Sequence, residues 1–150
     1  MDKSNTQAYA LMDERFGHDV LISIATIDGN RPSVRIVNGY YEGGSFYTVT
    51  YARSDKMRHM RVNPEVAVCG EWFSAHGIGE NIGHPRNDKN KAPAAKLRKV
   101  FAAWYGNGHT DETDPDTCIL RVRLTDGVLF HHGTKYEIDF TSKAANLKNR

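Results

Sequence analysis

Short β-forming runs separated by tight-turn signals constrain this sequence more than any other feature. Residues 20–27 and 33–41 are rich in β-branched and aromatic side chains, and Asp28-Gly29-Asn30 between them is a strong hairpin signal. Glu42-Gly43-Gly44 separates the second run from a third at residues 45–51. Because such short connections join neighbouring strands in opposite directions, the first third of the chain is predicted to form an antiparallel meander.

The rest of the chain mixes helical and strand patterns. Apolar residues at helical spacing predict helices at residues 5–17, 54–62 and 94–105, the second with Ser54 as N-cap. Further strands are predicted at residues 65–72, 73–82, 117–124, 128–130 and 136–140. Gly77 and Gly79 indicate a bulge, a sharp bend or close approach of another backbone. About seven short strands with two or three helices predict an α+β fold, mainly β, built on a small antiparallel barrel.

Length and charge favour a single domain with a small ligand. The chain has 150 residues, a formal charge of +2 and no repeat or linker, so we expect one domain over residues 1–140 and a flexible basic tail over 141–150. The basic residues form no dense stripe of the kind that nucleic-acid binding needs, so a small anion is the better-supported ligand. The N-terminal sequence does not resemble a signal peptide, and no apolar window is long enough for a membrane helix. We therefore expect a cytoplasmic protein with no membrane partner.

The cysteines, histidines and one aromatic stripe are interpreted as structural. Cys69 and Cys118 lie in apolar runs and belong to no CxxC pair, which predicts two reduced core residues. His131 and His132 are adjacent on a predicted strand and point to opposite faces, and no metal-ligand spacing is present, so no metal site is predicted. The stripe that ends at Trp104 is predicted to serve core or dimer packing.

The polar segment at residues 87–99 has two interpretations. It carries five lysines and arginines where a loop runs into a helix. The first interpretation is a solvated helix face. The second is a lid over a ligand, because long irregular loops in small domains are often functional.

Five motifs follow one another in an order that is not generic. The pattern is roughly G-x-P-x-x-R-x-V, an aromatic strand ending in Thr, S-x-K opening a helix that ends in Asn-Pro, and a V-A-V strand; here two residues, instead of one, separate Gly29 from Pro32. In this sequence the motifs are Gly29-Asn30-Arg31-Pro32-Ser33-Val34-Arg35-Ile36-Val37, Phe46-Tyr47-Thr48-Val49-Thr50, Ser54-Asp55-Lys56-Met57, Asn63-Pro64 and Val66-Ala67-Val68. Over residues 20–82 the chain thereby resembles the FMN-binding split-barrel proteins of the pyridoxamine 5'-phosphate oxidase superfamily. The resemblance implies an antiparallel split β-barrel of the FMN-binding type.

The resemblance also implies a cofactor site. It places the FMN phosphate on Arg35, Thr50, Ser54 and Lys56. Arginine can donate two parallel charge-assisted hydrogen bonds, lysine adds a point charge, and Ser54 opens a helix whose free amides favour an anion. Further residues implied to contact FMN are Ile36, Val37, Asn38, Val49, Asp55, Ser74 and, from the partner subunit, Phe130. Taken without the resemblance, the same four phosphate residues are also compatible with solvated charges, a β-forming threonine and an N-cap.

The implied function is an FMN-dependent oxidoreductase that acts on a small molecule, as a homodimer with the flavin between subunits. The sequence after Leu124 lacks the arginine-rich substrate signature of true pyridoxamine phosphate oxidases, which argues against that substrate. Two alternatives remain open: a noncatalytic module that binds flavin or haem, and a nitroaromatic reductase. FAD or a deazaflavin could also take the place of FMN.

Overall fold

The computed structural model describes residues 3–141, with side chains from residue 5 onward. The helices are α1 (Lys3–Phe16), α2 (Asp55–Val62), α3 (Lys91–Val100) and α4 (Ala102–Trp104), with a 3-10 turn at Asp88–Asn90 and a π turn at Tyr105–His109. The strands are β1 (Val20–Asp28), β2 (Arg31–Glu42), β3 (Ser45–Tyr51), β4 (Glu65–Gly70), β5 (Phe73–Gly83), β6 (Thr117–His131) and β7 (Thr134–Asp139).

The seven strands form one antiparallel sheet that closes on itself. Their order is β3-β2-β1-β4-β5-β6-β7, and β3 also pairs with β6. This extra pairing closes six strands into a barrel, and β7 lies outside it as a second partner of β6. Closure removes the exposed edges that an open sheet would leave. The α+β class and the split-barrel architecture predicted from the sequence are thus confirmed.

One strand pair in the barrel separates along its length. β2 pairs with β1 from one end to the other, with Val20 opposite Gly39 and Asp28 opposite Arg31. It pairs with β3 over Tyr40–Glu42 alone, opposite Ser45 to Tyr47. Residues 33–39 of β2 and 48–51 of β3 then diverge, while β3 stays paired with β6. The gap that opens between them is the split of the barrel.

The barrel interior is filled by aromatic side chains. Phe16, at the end of α1, lies with its ring centroid 5.6 Å from that of Phe46 and 5.3 Å from that of Phe73. Alternate residues of β1, including Ile22 and Ile24, point into the same cluster because successive strand side chains face opposite ways. Aromatic pairs at this spacing add about 0.5–1.5 kcal/mol beyond the area that they bury. Helix α1 therefore belongs to the core of the barrel.

A second, smaller cluster lies outside the barrel wall. Helix α3 buries Ala94 and Leu97, and Phe101 follows immediately, fully buried. These residues pack against Tyr40 and Ile119 on the outer surface of β2 and β6. The basic segment at 87–99 thus holds α3 on the sheet with its apolar side while its lysines face solvent.

Glycines allow close approach at two positions. Gly29 has φ +68° in the hairpin turn between β1 and β2, a backbone conformation that residues other than glycine rarely adopt. A Cβ at Gly79 would overlap the Met60 sulfur, so α2 lies directly on β5 at that residue. The bulge or close backbone approach predicted for the glycines of this strand is confirmed at Gly77, where the register shifts and a Cβ would lie 2.9 Å from the Arg123 carbonyl oxygen.

Several elements differ from the sequence-based prediction. The two strands predicted at 117–124 and 128–130 form one long strand, β6, because a bulge absorbs Thr125: His76 faces Asp126, while Gly77 faces Leu124. The predicted third helix begins at Lys91 and ends at Val100, where the chain kinks into α4 and the π turn.

The prediction that both cysteines are core residues was wrong for one of them. Cys118 is buried, but Cys69 is exposed. The reason is strand alternation: Val66 and Val68 of β4 point inward, so Cys69 points out.

The predicted tail at 141–150 lies outside the described residues except for Thr141. Over residues 3–141, the longest helix has 14 residues, and none of the helices is both long and apolar enough to cross a bilayer.

Candidate functional site: a groove between β2 and β3

The split between β2 and β3 forms a groove of about 340 Å³. Its floor and walls come from both strands, from α2 and from the chain around α4. The lining residues are Val37, Asn38, Thr48, Val49, Thr50, Lys56, Trp104 and His109. Besides Lys56, four of the residues predicted from the sequence to bind the cofactor line this groove: Val37, Asn38, Val49 and Thr50.

Lys56 brings a positive charge to one end of this groove. Its side chain is half-buried in the first turn of α2, and burial together with the nearby Arg35 charge lowers its pKa. Among the described residues it has no hydrogen-bond or ion-pair partner. A half-buried ammonium without a carboxylate is available to a bound anion, which would raise its pKa again.

The Ser54 hydroxyl is a hydrogen-bond donor that has no acceptor among the described residues. It is the N-cap of α2, but its hydroxyl makes no capping hydrogen bond to the helix. Its Oγ is buried and has no partner among the described residues. An unsatisfied buried hydroxyl costs roughly 1–3 kcal/mol, so this atom is best explained by a ligand that accepts from it.

Arg35 is fixed by contacts on one side only. Its Nη1 donates to Thr26 Oγ1 at 2.8 Å and to the carbonyls of Ile24 and Ser33 at 3.2 and 3.3 Å, and its Nη2 donates to Ser33 Oγ at 3.3 Å. Burial lowers its pKa, and the Asp55 carboxylate opposes that effect. No ion pair engages its guanidinium within residues 5–141, so Nε and one Nη2 hydrogen can still bind an anion.

The charge balance of this end of the groove is positive. Arg35 and Lys56 are close enough to influence each other electrostatically. The nearest acidic side chain on α2, Asp55, is exposed and lies 3.4 Å from Arg58. A phosphate monoester fits this set of donors: two cations, a buried free hydroxyl and the amides that open an eight-residue helix.

Two residues of the groove were not predicted as site residues. Trp104 and His109 line it from the chain that follows α3. The Asp19 carboxylate accepts from Trp104 Nε1 at 3.0 Å and from Asn38 Nδ2 at 2.9 Å, and so holds the tryptophan against β2. We name these three residues, Asp19, Asn38 and Trp104, the Asp19 latch.

The prediction that the stripe ending at Trp104 serves packing is confirmed. The Trp104 ring packs on Phe101, with centroids 4.8 Å apart, and it also lines the groove. No local pattern reveals the second contact, because Asp19 and Trp104 are 85 positions apart. No residue of 87–99 lines this groove, and the exposed lysines of that segment match the first interpretation, a solvated helix face.

The segment after Trp104 is held in place by a half-buried carboxylate. Glu112 accepts from Arg98 at 2.8 Å, from Arg86 at 3.2 Å and from the Tyr105 hydroxyl. These contacts, led by Arg98, lower the pKa of Glu112 to about 2. The carboxylate therefore anchors the π turn and His109 to α3.

Three predicted site residues lie away from the groove in a single chain. Ile36 is 68% exposed on the outer face of β2. Ser74 lines a separate shallow depression on the outer face of the sheet, beside His76 and Asp126. Phe130 is exposed on β6, beyond the bulge. Within one chain the groove is thus built from Val37, Asn38, Val49, Thr50 and Lys56, with Arg35 and Ser54 beside Lys56.

Residues 5–141 contain no cluster of three or more His, Cys, Asp or Glu side chains placed to bind a metal ion. Cys118 lies opposite Thr50 in the β3–β6 pair, close to Lys56. Burial raises the pKa of its thiol to about 11, so it remains a neutral core residue at physiological pH.

A closed antiparallel barrel that splits along one strand pair defines the class of split-barrel proteins. The sequence profile described as pyridoxamine 5'-phosphate oxidase matches residues 11–130. The chain belongs to this family. A comparison with curated proteins found no match.

Solved structures share the fold at low sequence identity. An FAD-binding protein from Mesorhizobium loti is 16% identical, with a TM-score of 0.62 over 79% of this chain and 91% of that one. A putative pyridoxamine 5'-phosphate oxidase from Listeria innocua is 14% identical, with a TM-score of 0.59 over 87% and 98%. A heme binding protein from Mycobacterium smegmatis is 15% identical, with a TM-score of 0.67 over 97% of this chain and 60% of that one.

Proposed function

We propose that this protein is an FMN-binding oxidoreductase that acts on a small molecule. One observation carries the proposal: among the described residues, the buried Ser54 hydroxyl has no hydrogen-bond partner, and the half-buried Lys56 beside it has no partner either. Leaving such groups without partners is costly unless a ligand with several acceptor oxygens binds there. A flavin mononucleotide presents a phosphate of this kind at the end of a flat, largely apolar ring system.

The groove suits both parts of such a molecule. The phosphate would bind at the α2 end, on Ser54, Lys56 and Arg35, with the Thr50 hydroxyl nearby. The ring would lie along Val37 and Asn38, where the edge of β2 that faces the split is not paired with β3. A bound flavin supplies reversible electron transfer. The chain holds and orients the cofactor, and Trp104 limits access of water from the outer side.

The outer face of the sheet supports a homodimer. Leu21, Val34 and Ile36 are 66%, 67% and 68% exposed and lie next to one another on β1 and β2. Smaller side chains of β4 and β5 continue this face around a shallow depression. Large apolar side chains grouped in this way mark interaction surfaces, and a second copy is the occupant that we propose. It would also bring Ser74 and Phe130, implied by the family resemblance, towards the partner's groove.

A haem-binding protein is a second candidate. One feature of this chain favours it: the exposed His109 lines the groove, and imidazole is a common axial ligand of haem iron. A solved structure with the same fold is described as a heme binding protein. Against it, each haem propionate offers two acceptor oxygens where a phosphate offers three, so the donors of Ser54, Lys56 and Arg35 together match a phosphate better.

The visible spectrum of the purified protein, before and after titration with FMN, tests the proposal. A flavin spectrum that bleaches with a reduced nicotinamide and recovers in air supports the oxidoreductase. A flavin that binds but is not reduced by a reduced nicotinamide points to a noncatalytic module, and a sharp Soret band points to haem. Ser54→Ala, which removes only the free hydroxyl, should weaken FMN binding about fivefold without loss of stability. A protein that takes up no FMN at micromolar concentration contradicts the proposal.

A further inference from the structure

A buried chain of hydrogen bonds leads away from Arg35. Its Nη1 donates to Thr26 Oγ1 at 2.8 Å, and the same oxygen lies 2.7 Å from His59 Nδ1. Thr26 is 1% exposed and His59 is 5% exposed, so neither atom has ready access to bulk water. On the far side, His59 Nε2 lies 3.5 Å from Asp28 Oδ2. The chain thus links the interior of β1 to the inner side of α2 and to the hairpin turn.

The donor and acceptor roles along this chain follow from chemistry. A guanidinium only donates, so Thr26 Oγ1 must accept from Arg35. The hydroxyl proton of Thr26 then needs an acceptor, and His59 Nδ1 is the other side-chain atom within hydrogen-bond distance of Oγ1 among the described residues. Nδ1 therefore carries a lone pair, and the ring hydrogen is on Nε2, directed to the Asp28 carboxylate.

The neighbouring Arg58 makes a contact that opposes this assignment. Its Nη2 lies 3.3 Å from His59 Nε2, and because a guanidinium only donates, a hydrogen bond there needs a lone pair on Nε2. Arg58 also has two carboxylate partners, Asp28 at 3.7 Å and Asp55 at 3.4 Å. We assign the ring hydrogen to Nε2 because the contact between Thr26 Oγ1 and Nδ1 is the shorter one, at 2.7 Å, and is buried.

We infer that His59 is a positioning residue for the anion-binding arginine. By accepting the Thr26 hydroxyl proton, it turns an Oγ1 lone pair towards Arg35 Nη1 and fixes the plane of the guanidinium. That plane decides whether Nε and the free Nη2 hydrogen point together into the groove. The ligand class is the phosphate end of a flavin mononucleotide, and in this respect the inference rests on the proposed function.

We name the hydrogen-bond chain from Arg35 through Thr26 to His59 the relay, and it has a test that does not require any cofactor. Long-range nitrogen–proton NMR of the wild-type protein distinguishes the two neutral tautomers of His59. The relay predicts the tautomer with hydrogen on Nε2, and Thr26→Val should abolish that preference because it removes the proton donated to Nδ1. A hydrogen on Nδ1 in the wild-type protein overturns the relay, whether or not the protein binds FMN.

The second test separates positioning from folding. FMN and riboflavin differ in the phosphate alone, so their dissociation constants should be measured for His59→Leu and His59→Asn. His59→Leu removes the acceptor and should weaken FMN about five- to tenfold while riboflavin changes less than twofold. His59→Asn keeps an acceptor oxygen near the Nδ1 position and should recover most of the FMN affinity.

Coupling between the variants completes the test. If the two residues act through one chain, the double variant Thr26→Val/His59→Leu should lose about as much FMN affinity as either single variant. Equal losses for FMN and riboflavin, or no recovery in His59→Asn, show that His59 only supports the fold and overturn the inference. Wild-type protein that binds neither flavin contradicts the proposed function instead, and the tautomer measurement still decides the relay.

Discussion

At the proposed phosphate end of the groove, three side chains leave part of their hydrogen-bonding capacity unused in the folded protein. Ser54 keeps a free buried hydroxyl, Lys56 has no partner among the described residues, and Arg35 is held on one side. Folded chains usually satisfy such groups, because each unpaired buried donor costs free energy. Ser54 and Lys56 belong to the start of the same helix, and Arg35 is close enough to lower the pKa of Lys56, so these unused donors support the proposed phosphate site.

Lys56→Met keeps the apolar stem of the lysine and removes its charge. We expect FMN to bind roughly 10- to 100-fold more weakly, because a charge-assisted contact contributes about 1.5–3 kcal/mol. Riboflavin, which has no phosphate, should be much less affected. Fluorescence titration of both ligands gives the two constants. Lys99→Met on the exposed side of α3 is the matched control, and equal losses for both ligands would contradict a phosphate contact.

At the scale of elements, the chain after α3 decides how open the groove is. The Asp19 latch joins the start of β1, the wall of β2 and the end of α4 through one carboxylate. Asp19→Ala breaks both hydrogen bonds, so Trp104 should move more freely and FMN should dissociate about three- to tenfold faster. Stopped-flow tryptophan fluorescence on a Trp72→Phe background measures this rate from Trp104 alone.

His18→Ala, the exposed neighbour of Asp19, is the control for that experiment and should leave the dissociation rate unchanged. If Asp19→Ala also leaves it unchanged, Trp104 does not limit cofactor release, and the latch serves only to pack α4 on the sheet.

The contacts of the Glu112 carboxylate make the stability of the folded protein depend on pH. Its pKa of about 2 lies below the ordinary value of 4.5, because three donors stabilise the carboxylate in the folded protein. The stabilisation is therefore complete above pH 4.5 and is lost as pH falls from 4.5 towards 2. Glu112→Gln should lower the free energy of unfolding by roughly 2–3 kcal/mol at pH 7.

Urea unfolding of wild type and Glu112→Gln at pH 7 and pH 3.5 checks this expectation. The difference between the two proteins should shrink at the lower pH, whereas Glu14→Gln, on an exposed side of α1, should change little at either pH. A difference that is the same at both pH values would show that the anchor does not depend on the charge of Glu112.

At the scale of the whole molecule, the barrel buries its aromatic core inside and leaves an apolar face outside. Ile36 lies at the centre of that face, 68% exposed, so Ile36→Glu should prevent association of two copies. Analytical ultracentrifugation should show a wild-type dimer and a folded variant monomer with weaker FMN binding. Val62→Glu is the control, since Val62 is 84% exposed but lies apart on α2. A wild-type monomer that binds FMN fully would contradict the dimer.

Local chemistry explains how much of this could be predicted from the sequence. Turn residues and strand alternation act over two to four positions, so the hairpin at Gly29, the N-cap at Ser54 and the antiparallel meander of β1 to β3 were predictable. The motif order around Arg35 and Lys56 indicated an anion site through the family resemblance that it carries. The exposure of Cys69 was missed because an apolar run alone does not say which strand face is covered.

Sequence alone therefore determined the order of the elements, the α+β barrel and the residues that carry positive charge. Tertiary structure decided where those residues meet. The split exists because β3 leaves β2 after Tyr47 and stays with β6, a pairing across some seventy positions that no local pattern encodes. The contact of Trp104 with Asp19 and that of His59 with Thr26 span 85 and 33 positions. Such contacts form only when the barrel closes, because closure sets the distances between distant segments.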